Sequence, residues 1–234
     1  MTEKSWYIVG VDPAPAKGTV LCHGDGRFDR LPPRDLRAWF YQLLENHENV
    51  LIAWDAPLGF DSDDFYDRRI DKAARKWISS LVEKGRIEDK AVNAEQFATL
   101  PHWAVSCHAV GYPFGSTPGR LRLADHINNG HCLVEVHPAV ALAVWWTEQQ
   151  AEHPLKQYKN NRQEAAMIAG TLGFPSQAGT DDDHLDAYVA FKLGGMFLQD
   201  QARWVGSALF GGYVLPDCPG TDALEAFFET EKNA

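Results

Sequence analysis

Apolar runs separated by short polar turns organise the first part of the chain. Residues 6–12 form one such run, and proline- and glycine-containing turns lead to a second run at 19–23 and a short third strand predicted over 27–31. Turns this short usually join neighbouring antiparallel strands. The sequence therefore predicts that the chain opens with three antiparallel strands.

The next two segments change the period of the pattern. From Pro33 onward the apolar positions recur at helical spacing, and a continuous apolar run occupies 50–54. A strand that is apolar throughout is typical of one covered on both faces. This order favours an α/β fold with a mixed sheet flanked by helices, although other mixed sheets begin in the same way.

The remaining chain is predicted to add helices to this sheet within a single domain spanning 1–234. Residues about 58–130 have the composition of a helical insertion with long loops after the fourth strand. A strand at 131–137 follows, and no repeat or linker marks a second domain. We expect helices at about 139–150 and 160–172, another from Asp181, and a last strand or hairpin at 206–215.

Composition restricts the environment in which this chain works. Its 234 residues carry 22 Lys and Arg against 32 Asp and Glu, a net charge of −10. The molecule as a whole is therefore not expected to attract nucleic acid at long range, so any phosphate binding must be local. No apolar signal segment precedes the first strand, and no apolar run approaches the ~20 residues that cross a bilayer. We expect a cytoplasmic protein with no membrane contact.

Acidic side chains recur in or directly after the apolar runs. Asp12 and Asp55 each end a predicted strand, Glu135 interrupts a third, and Asp186 lies in the apolar segment 185–198. An unpaired buried charge costs several kcal/mol, so such acids usually have a partner, a water-facing edge or a metal. Their repetition is the main indication of function.

Each acid also has a simpler interpretation. Asp12 and Asp55 precede proline-containing turns, where an aspartate often only hydrogen-bonds its own backbone. Glu135 could lie on an edge strand with one wet face. A capping box from Thr180 to Asp183 could account for the acids at 181–183, but not for Asp186, which lies beyond the first helical turn.

Together the acids predict a metal site. Asp183 and Asp186 lie three residues apart and can reach one cation, and strand ends such as those of Asp12 and Asp55 often form ligand sites. Such a set suits two Mg²⁺ or Mn²⁺ ions about 3.5 to 4 Å apart, which activate water against a phosphodiester. We predict five residues with catalytic and metal-binding roles: Asp12, Asp55, Glu135, Asp183 and Asp186.

Basic residues are predicted to position the phosphates. Within the insertion, apolar residues from Ile70 to Leu81 form a stripe at helical spacing, and the opposite face is basic, with Arg68, Arg69, Lys72, Arg75 and Lys76. That face could equally be an ordinary solvated surface. The loop at 101–122 could be a substrate-side lid or a packed irregular segment. The predicted substrate-binding residues are Arg69, Lys72, Arg75, Arg120, Arg122 and His137.

Five short motifs resemble a known family, domain of unknown function 429, whose members are predicted to be RNase H-like nucleases. They are GVD at 10–12, AWDAPLG at 53–59, RIDKAAR at 69–75, VEVHP at 134–138 and DHLDA at 183–187. The last also looks like the acidic helix of RuvC-type Holliday-junction resolvases. The resemblance implies an RNase H-like fold with Asp12, Asp55 or Glu135, Asp183 and Asp186 at a metal site.

Three functions are compatible with these features. The leading hypothesis is a metal-dependent nuclease acting on DNA or RNA. A catalytically silent RNase H-like binding module would keep the acids for structure or partner recognition, and the net charge of −10 favours it. An actin- or sugar-kinase-type phosphotransferase ranks lower, because Pro13 and Pro15 remove backbone donors that a phosphate-binding turn would use.

Overall fold

A five-stranded mixed sheet forms the centre of the fold. The computed structural model describes residues 5–59, 61, 67–92, 106, 109–110 and 131–233. The strands of this sheet are β1 (Tyr7–Asp12), β2 (Thr19–His23), β3 (Arg27–Leu31), β4 (Val50–Trp54) and β5 (Cys132–Glu135).

The order of the strands across the sheet is β3-β2-β1-β4-β5. β1 pairs antiparallel with β2, and β2 pairs antiparallel with β3. β4 joins the other side of β1 in parallel, and β5 continues the sheet in parallel with β4. The carboxyl ends of β1, β4 and β5 therefore lie at one edge, where ligand sites of α/β sheets usually form.

Helices and a hairpin surround the sheet. The helices are α1 (Pro33–Asn46), α2 (Arg69–Glu83), α3 (Pro138–Glu148), α4 (Arg162–Thr171), α5 (Asp182–Leu198) and α6 (Pro219–Lys232). A two-stranded antiparallel hairpin, β6 (Ala202–Ser207) and β7 (Gly211–Pro216), extends beyond β5, where Val136 bridges to Val214.

Apolar side chains form separate clusters on the two faces of the sheet. Val9, Val11 and Trp54 pack with residues of α1 such as Phe40. Ala53 and the apolar residues of α2, α3 and α5 form the larger cluster on the other face. Alternation of side chains along each strand produces this division, since neighbouring residues point to opposite faces.

Helix α5 approaches β1 closely because position 10 has no side chain. A Cβ atom on Gly10 would lie 2.1 Å from the backbone nitrogen of Phe191 and 2.2 Å from the carbonyl oxygen of Ala187. Both contacts are with backbone, which no rotamer change can move away. Gly10 thus sets the distance between β1 and α5, the two elements that carry Asp12 and Asp186.

The prediction of a mixed α/β fold is confirmed, and the elements up to Leu198 lie close to their predicted positions. The strand predicted at 131–137 ends at Glu135, the hairpin begins at Ala202 and not at 206, and the final helix α6 was not predicted. The predicted insertion at 58–130 contains α2, but much of it falls outside the described residues, so its helical character stays a prediction. Within the described part of the chain, no helix combines the length and apolarity needed to cross a bilayer.

Candidate metal centre

Three carboxylates from distant parts of the chain meet at the carboxyl edge of the sheet. One oxygen from each of Asp12, Asp55 and Asp186 lies within 4.8 Å of the other two. Asp12 ends β1, Asp55 directly follows β4, and Asp186 lies in the second turn of α5. We call this group the carboxylate trio.

Strand pairing and helix packing bring the trio together. Val11 pairs with Trp54 in the parallel ladder, and the backbone N–H of Asp55 donates to the carbonyl oxygen of Val11 at 2.9 Å. Asp12 and Asp55 therefore leave adjacent strands side by side. Asp186 comes from α5, whose backbone rests against Gly10 two residues before Asp12.

Asp186 is buried and is held by two side chains from the segment before α4. The Tyr158 hydroxyl donates to its Oδ1 at 2.8 Å, and the Lys159 ammonium donates to its Oδ2. Tyr158 is fully buried, whereas the Lys159 side chain is 40% exposed. Two donors fix both oxygens of Asp186, so its position in the trio does not depend on solvent.

The electrostatics of the trio reflect closely spaced negative charges. Burial raises the pKa of Asp12 to about 8, and the repulsion of Asp186 adds to this rise while Lys159 opposes it. Burial also raises the pKa of Asp186 despite its bonds to Lys159 and Tyr158. For Lys159, burial alone would lower the pKa, but the attraction of Asp186, Asp12 and Asp55 outweighs it. Added positive charge would stabilise this site.

The donor set fits a hard divalent cation. Around one Mg²⁺ ion, ligand oxygens at about 2.1 Å from the metal lie about 3 to 4.2 Å from each other. The oxygens of the trio, all within 4.8 Å of one another, can reach that arrangement with small side-chain movements. All three donors are carboxylates, and hard cations such as Mg²⁺ and Mn²⁺ prefer carboxylate oxygens to the sulfur and imidazole ligands that softer metals favour.

Glu135, the fourth predicted ligand, contributes instead to a buried ion cluster. Its Oε1 accepts from Arg68 at 2.8 Å and its Oε2 accepts from the backbone N–H of Leu58 at 2.8 Å. Arg68 also pairs with Asp71 at 2.8 Å and donates to the carbonyl oxygen of Gly59 at 3.1 Å. The cluster therefore holds the turn that directly follows Asp55.

Strand register explains why Glu135 does not join the trio. Paired residues of parallel neighbours point to the same face, and Glu135 pairs with Trp54. Trp54 packs on the α1 face, whereas Ala53 and the trio belong to the α5 face. The side chain of Glu135 consequently starts from the face opposite to that of Asp55.

Asp183 also lies outside the trio, because Arg30 of β3 binds its Oδ2 at 2.8 Å. The capping prediction for this helix was wrong in detail: Asp181, and not Thr180, is the N-cap and accepts from the backbone N–H of His184 at 2.9 Å. Arg30 contacts Asp181 as well, at 3.3 Å. Asp181 and Asp183 are thus engaged in capping and in ion pairs with Arg30.

The basic face of α2 differs from its prediction at one important position. Arg68 was predicted on the outer surface, but α2 begins at Arg69, and Arg68 is 2% exposed with its guanidinium between Asp71 and Glu135. Lys72 lies 3.5 Å from Asp67, which also binds Arg75. Neighbouring acids therefore compensate much of this positive surface.

The other predicted substrate-binding residues occupy varied surroundings. Arg69 binds Asp61 at 3.3 Å and lies over the ring of Phe210. His137 is buried, 4% exposed, with its ring against that of Tyr213. Arg120 and Arg122 lie outside the described residues.

Sequence reasoning missed three residues of this region: Tyr158, Lys159 and Arg68. Tyr158 and Lys159 belong to a segment without helical or strand periodicity, 27 or 28 positions from Asp186, so no spacing rule connects them. For Arg68 a signal existed, because Arg68 and Asp71 have the i, i+3 spacing of a helical ion pair.

In comparisons with known proteins, no family model, no curated protein and no solved structure matches this chain. The resemblance to domain of unknown function 429 therefore stays an expectation from the five motifs.

The buried ion cluster should make stability depend on pH. Burial raises the pKa of Glu135 from 4.5 to about 7, although Arg68 opposes the rise. The folded protein keeps this proton while the unfolded chain releases it, so the free energy of unfolding should fall between about pH 4.5 and 7, by about 3 kcal/mol at most. Glu135→Gln cannot titrate, so the decrease in the free energy of unfolding that Glu135 causes should be absent in this variant.

Urea unfolding of wild type and Glu135→Gln at pH 5, 6, 7 and 8 measures this effect. We expect the stability of the variant relative to wild type to increase with pH. Glu152→Gln, at an exposed position, is the control and should follow wild type at every pH. Parallel curves for Glu135→Gln and wild type would show that Glu135 stays ionised throughout.

Proposed function

We propose that the carboxylate trio binds a divalent cation, Mg²⁺ or Mn²⁺, and that the protein hydrolyses phosphodiester bonds of nucleic acid. The observation that carries this proposal is the convergence of Asp12, Asp55 and Asp186 within 4.8 Å. Burial, together with the smaller repulsion of Asp186, raises the pKa of Asp12 to about 8, so ionising this acid in its site costs free energy. Buried, closely spaced carboxylates reduce the stability of the fold, and groups that do so usually belong to a functional site.

The sheet supports the RNase H-like part of the proposal. Three antiparallel strands followed by two parallel ones, in the order β3-β2-β1-β4-β5, agree with the opening of that architecture expected from the motifs. In the proposed site, acids from the central strand, its parallel neighbour and a late helix share one metal-binding point.

The residues of the chain have distinct proposed roles. A bound divalent cation supplies an activated water and neutralises charge on a phosphate oxygen. Asp12, Asp55 and Asp186 hold the cation, and Tyr158 fixes the orientation of Asp186. Glu135 and Arg68 act as positioning residues, because they fix Leu58 and Gly59 in the turn after Asp55.

Cleavage assays with and without metal test this function. Labelled single-stranded and duplex DNA, RNA, an RNA–DNA hybrid and a four-way junction are incubated with Mn²⁺ or Mg²⁺. We expect cleavage of at least one substrate, abolished by chelator and reduced at least about hundredfold in Asp55→Asn, since a ligand is lost. Asp89→Asn, at an exposed position, is the control and should cleave like wild type.

The outcomes separate the remaining functions. Cleavage that persists in Asp55→Asn or without metal would place the chemistry elsewhere. Metal binding without cleavage of any substrate in the panel would favour the catalytically silent binding module. If the protein neither binds a metal nor cleaves any substrate, the proposed function is wrong.

A further inference from the structure

Lys159 is a cation already present among the carboxylates of the proposed site. Its ammonium contacts Asp186 Oδ2 and is attracted by Asp12 and Asp55. Its side chain is 40% exposed, whereas that of Asp186 is 1% exposed. The acid of this contact is thus buried, whereas the side chain of the lysine is partly exposed to solvent.

We infer that the trio takes a single divalent cation and that the ammonium of Lys159 acts as the second cation of the site, in place of a second metal ion. The inference rests on the proposed function and replaces the two-metal arrangement expected from the sequence. One divalent cation and one ammonium carry the three positive charges that balance the three carboxylates.

The acids that a second ion would need are already paired. Glu135 is bound by Arg68 at 2.8 Å, and Asp183 is bound by Arg30 at 2.8 Å. Among the residues that the structure describes, Asp12, Asp55 and Asp186 alone form a group of three or more potential metal ligands within this reach. A second divalent ion would have to displace Lys159 from Asp186 or break one of these arginine pairs.

The ammonium of Lys159 can interact both with the carboxylates of the trio and with a phosphate group of the substrate. It lowers the repulsion within the trio before a metal binds, and because its side chain is partly exposed it can then turn to donate to a phosphate oxygen of the substrate. Lysine suits this role because its ammonium is a compact charge on a flexible stem, so it can turn from Asp186 to an incoming phosphate. Lys159 thereby becomes a substrate-contacting residue of the proposed reaction.

Calorimetric titration with Mn²⁺ tests the inference, because it needs no knowledge of the substrate. Wild type should bind one ion per chain. Lys159→Met should bind that ion at least about tenfold more tightly, since a competing cation is removed. In the cleavage assay the same variant should lose about hundredfold or more of its activity, because the phosphate loses a charged donor. A lysine with a purely structural role would not produce opposite changes in affinity and activity.

Two further variants complete the experiment. Lys156→Met removes an exposed lysine three positions away and should leave affinity, stoichiometry and cleavage unchanged. Lys159→Arg keeps the charge and should still bind one ion, which provides a test if the methionine variant does not fold.

The outcomes distinguish this inference from the proposed function. Two ions per wild-type chain, or unchanged or weaker Mn²⁺ binding by a folded Lys159→Met, would overturn the role of Lys159 while leaving a metal-dependent enzyme in place. Wild-type cleavage activity in Lys159→Met would rule out the proposed contact between Lys159 and the phosphate. Absence of Mn²⁺ binding by wild type would overturn both.

Discussion

Gly10→Ala is expected to lower the free energy of unfolding by about 3 kcal/mol or more, or to prevent folding. The added Cβ would lie 2.1 Å from the backbone nitrogen of Phe191 and 2.2 Å from the carbonyl oxygen of Ala187, so α5 must move away from β1. Overpacking against flexible side chains typically costs 1 to 3 kcal/mol, and here backbone contacts leave less freedom to relax. Chemical denaturation measures the loss.

Gly195→Ala, on the helix α5 that Gly10 contacts, is the matched control. A Cβ there would meet only Ile8 Cδ1, at 3.6 Å, which is an ordinary contact. Alanine in a helix interior is favoured over glycine by up to about 1 kcal/mol, so this variant should be as stable as wild type or more stable. A Gly10→Ala protein within about 1 kcal/mol of wild type would mean that the contact between β1 and α5 is not tightly constrained.

Arg68→Met should also destabilise the protein strongly, by about 3 to 5 kcal/mol near neutral pH. Arg68 binds two buried acids, Asp71 and Glu135, and its removal leaves both without their shared guanidinium. The loss should shrink at pH 5, because buried carboxyl groups without a cation take up protons. Urea unfolding at pH 5 and pH 8 measures both effects.

A combined variant tests the cause of that loss. In Arg68→Met with Asp71→Asn and Glu135→Gln, no charge remains in the cluster, so much of the stability lost by the single variant should return. Arg203→Met is the control, because Arg203 pairs with acids that are partly exposed, such as Asp217 and Asp222. An equal loss for Arg68→Met at both pH values would attribute the effect to packing rather than to charge.

Three of the predicted acids could be located from sequence because their positions depend on local rules. Asp12 and Asp55 follow apolar runs, and neighbouring parallel strands end at the same edge of a sheet. Asp186 lies beyond the first turn of its helix, where capping no longer explains an acid. Periodicity and strand order were sufficient for these three residues.

The register between strands is not readable from a single sequence, and this misplaced Glu135. Alternation predicted that Glu135 and His137 share one face of a strand, but the strand ends at Glu135, and alternation cannot say to which face of the sheet Glu135 points. Pairing of Glu135 with Trp54 decides the question. Helical spacing also misplaced Arg68: it assigned this residue to the outer face of the helix, whereas Arg68 is the N-cap residue before α2.

Lys159 and Tyr158 could not be predicted because their contacts with Asp186 depend on how an irregular segment packs against α5. Nothing in the local sequence of that segment distinguishes Lys159 from the exposed Lys156. The structure brings Asp12, Asp55 and Asp186 together, whereas Glu135 pairs with Arg68 and Asp183 pairs with Arg30. That any of these acids binds a metal stays a prediction.

Anomalous X-ray diffraction from wild-type crystals soaked in Mn²⁺ shows directly whether the trio binds a metal. If Asp12, Asp55 and Asp186 share one cation, an anomalous peak should lie about 2.2 Å from a carboxylate oxygen of each of them. The carboxylates of Glu135 and Asp183 should remain on Arg68 and Arg30. Crystals in which the three carboxylates stay together without manganese between them, or in which manganese binds elsewhere, would contradict the proposed metal site.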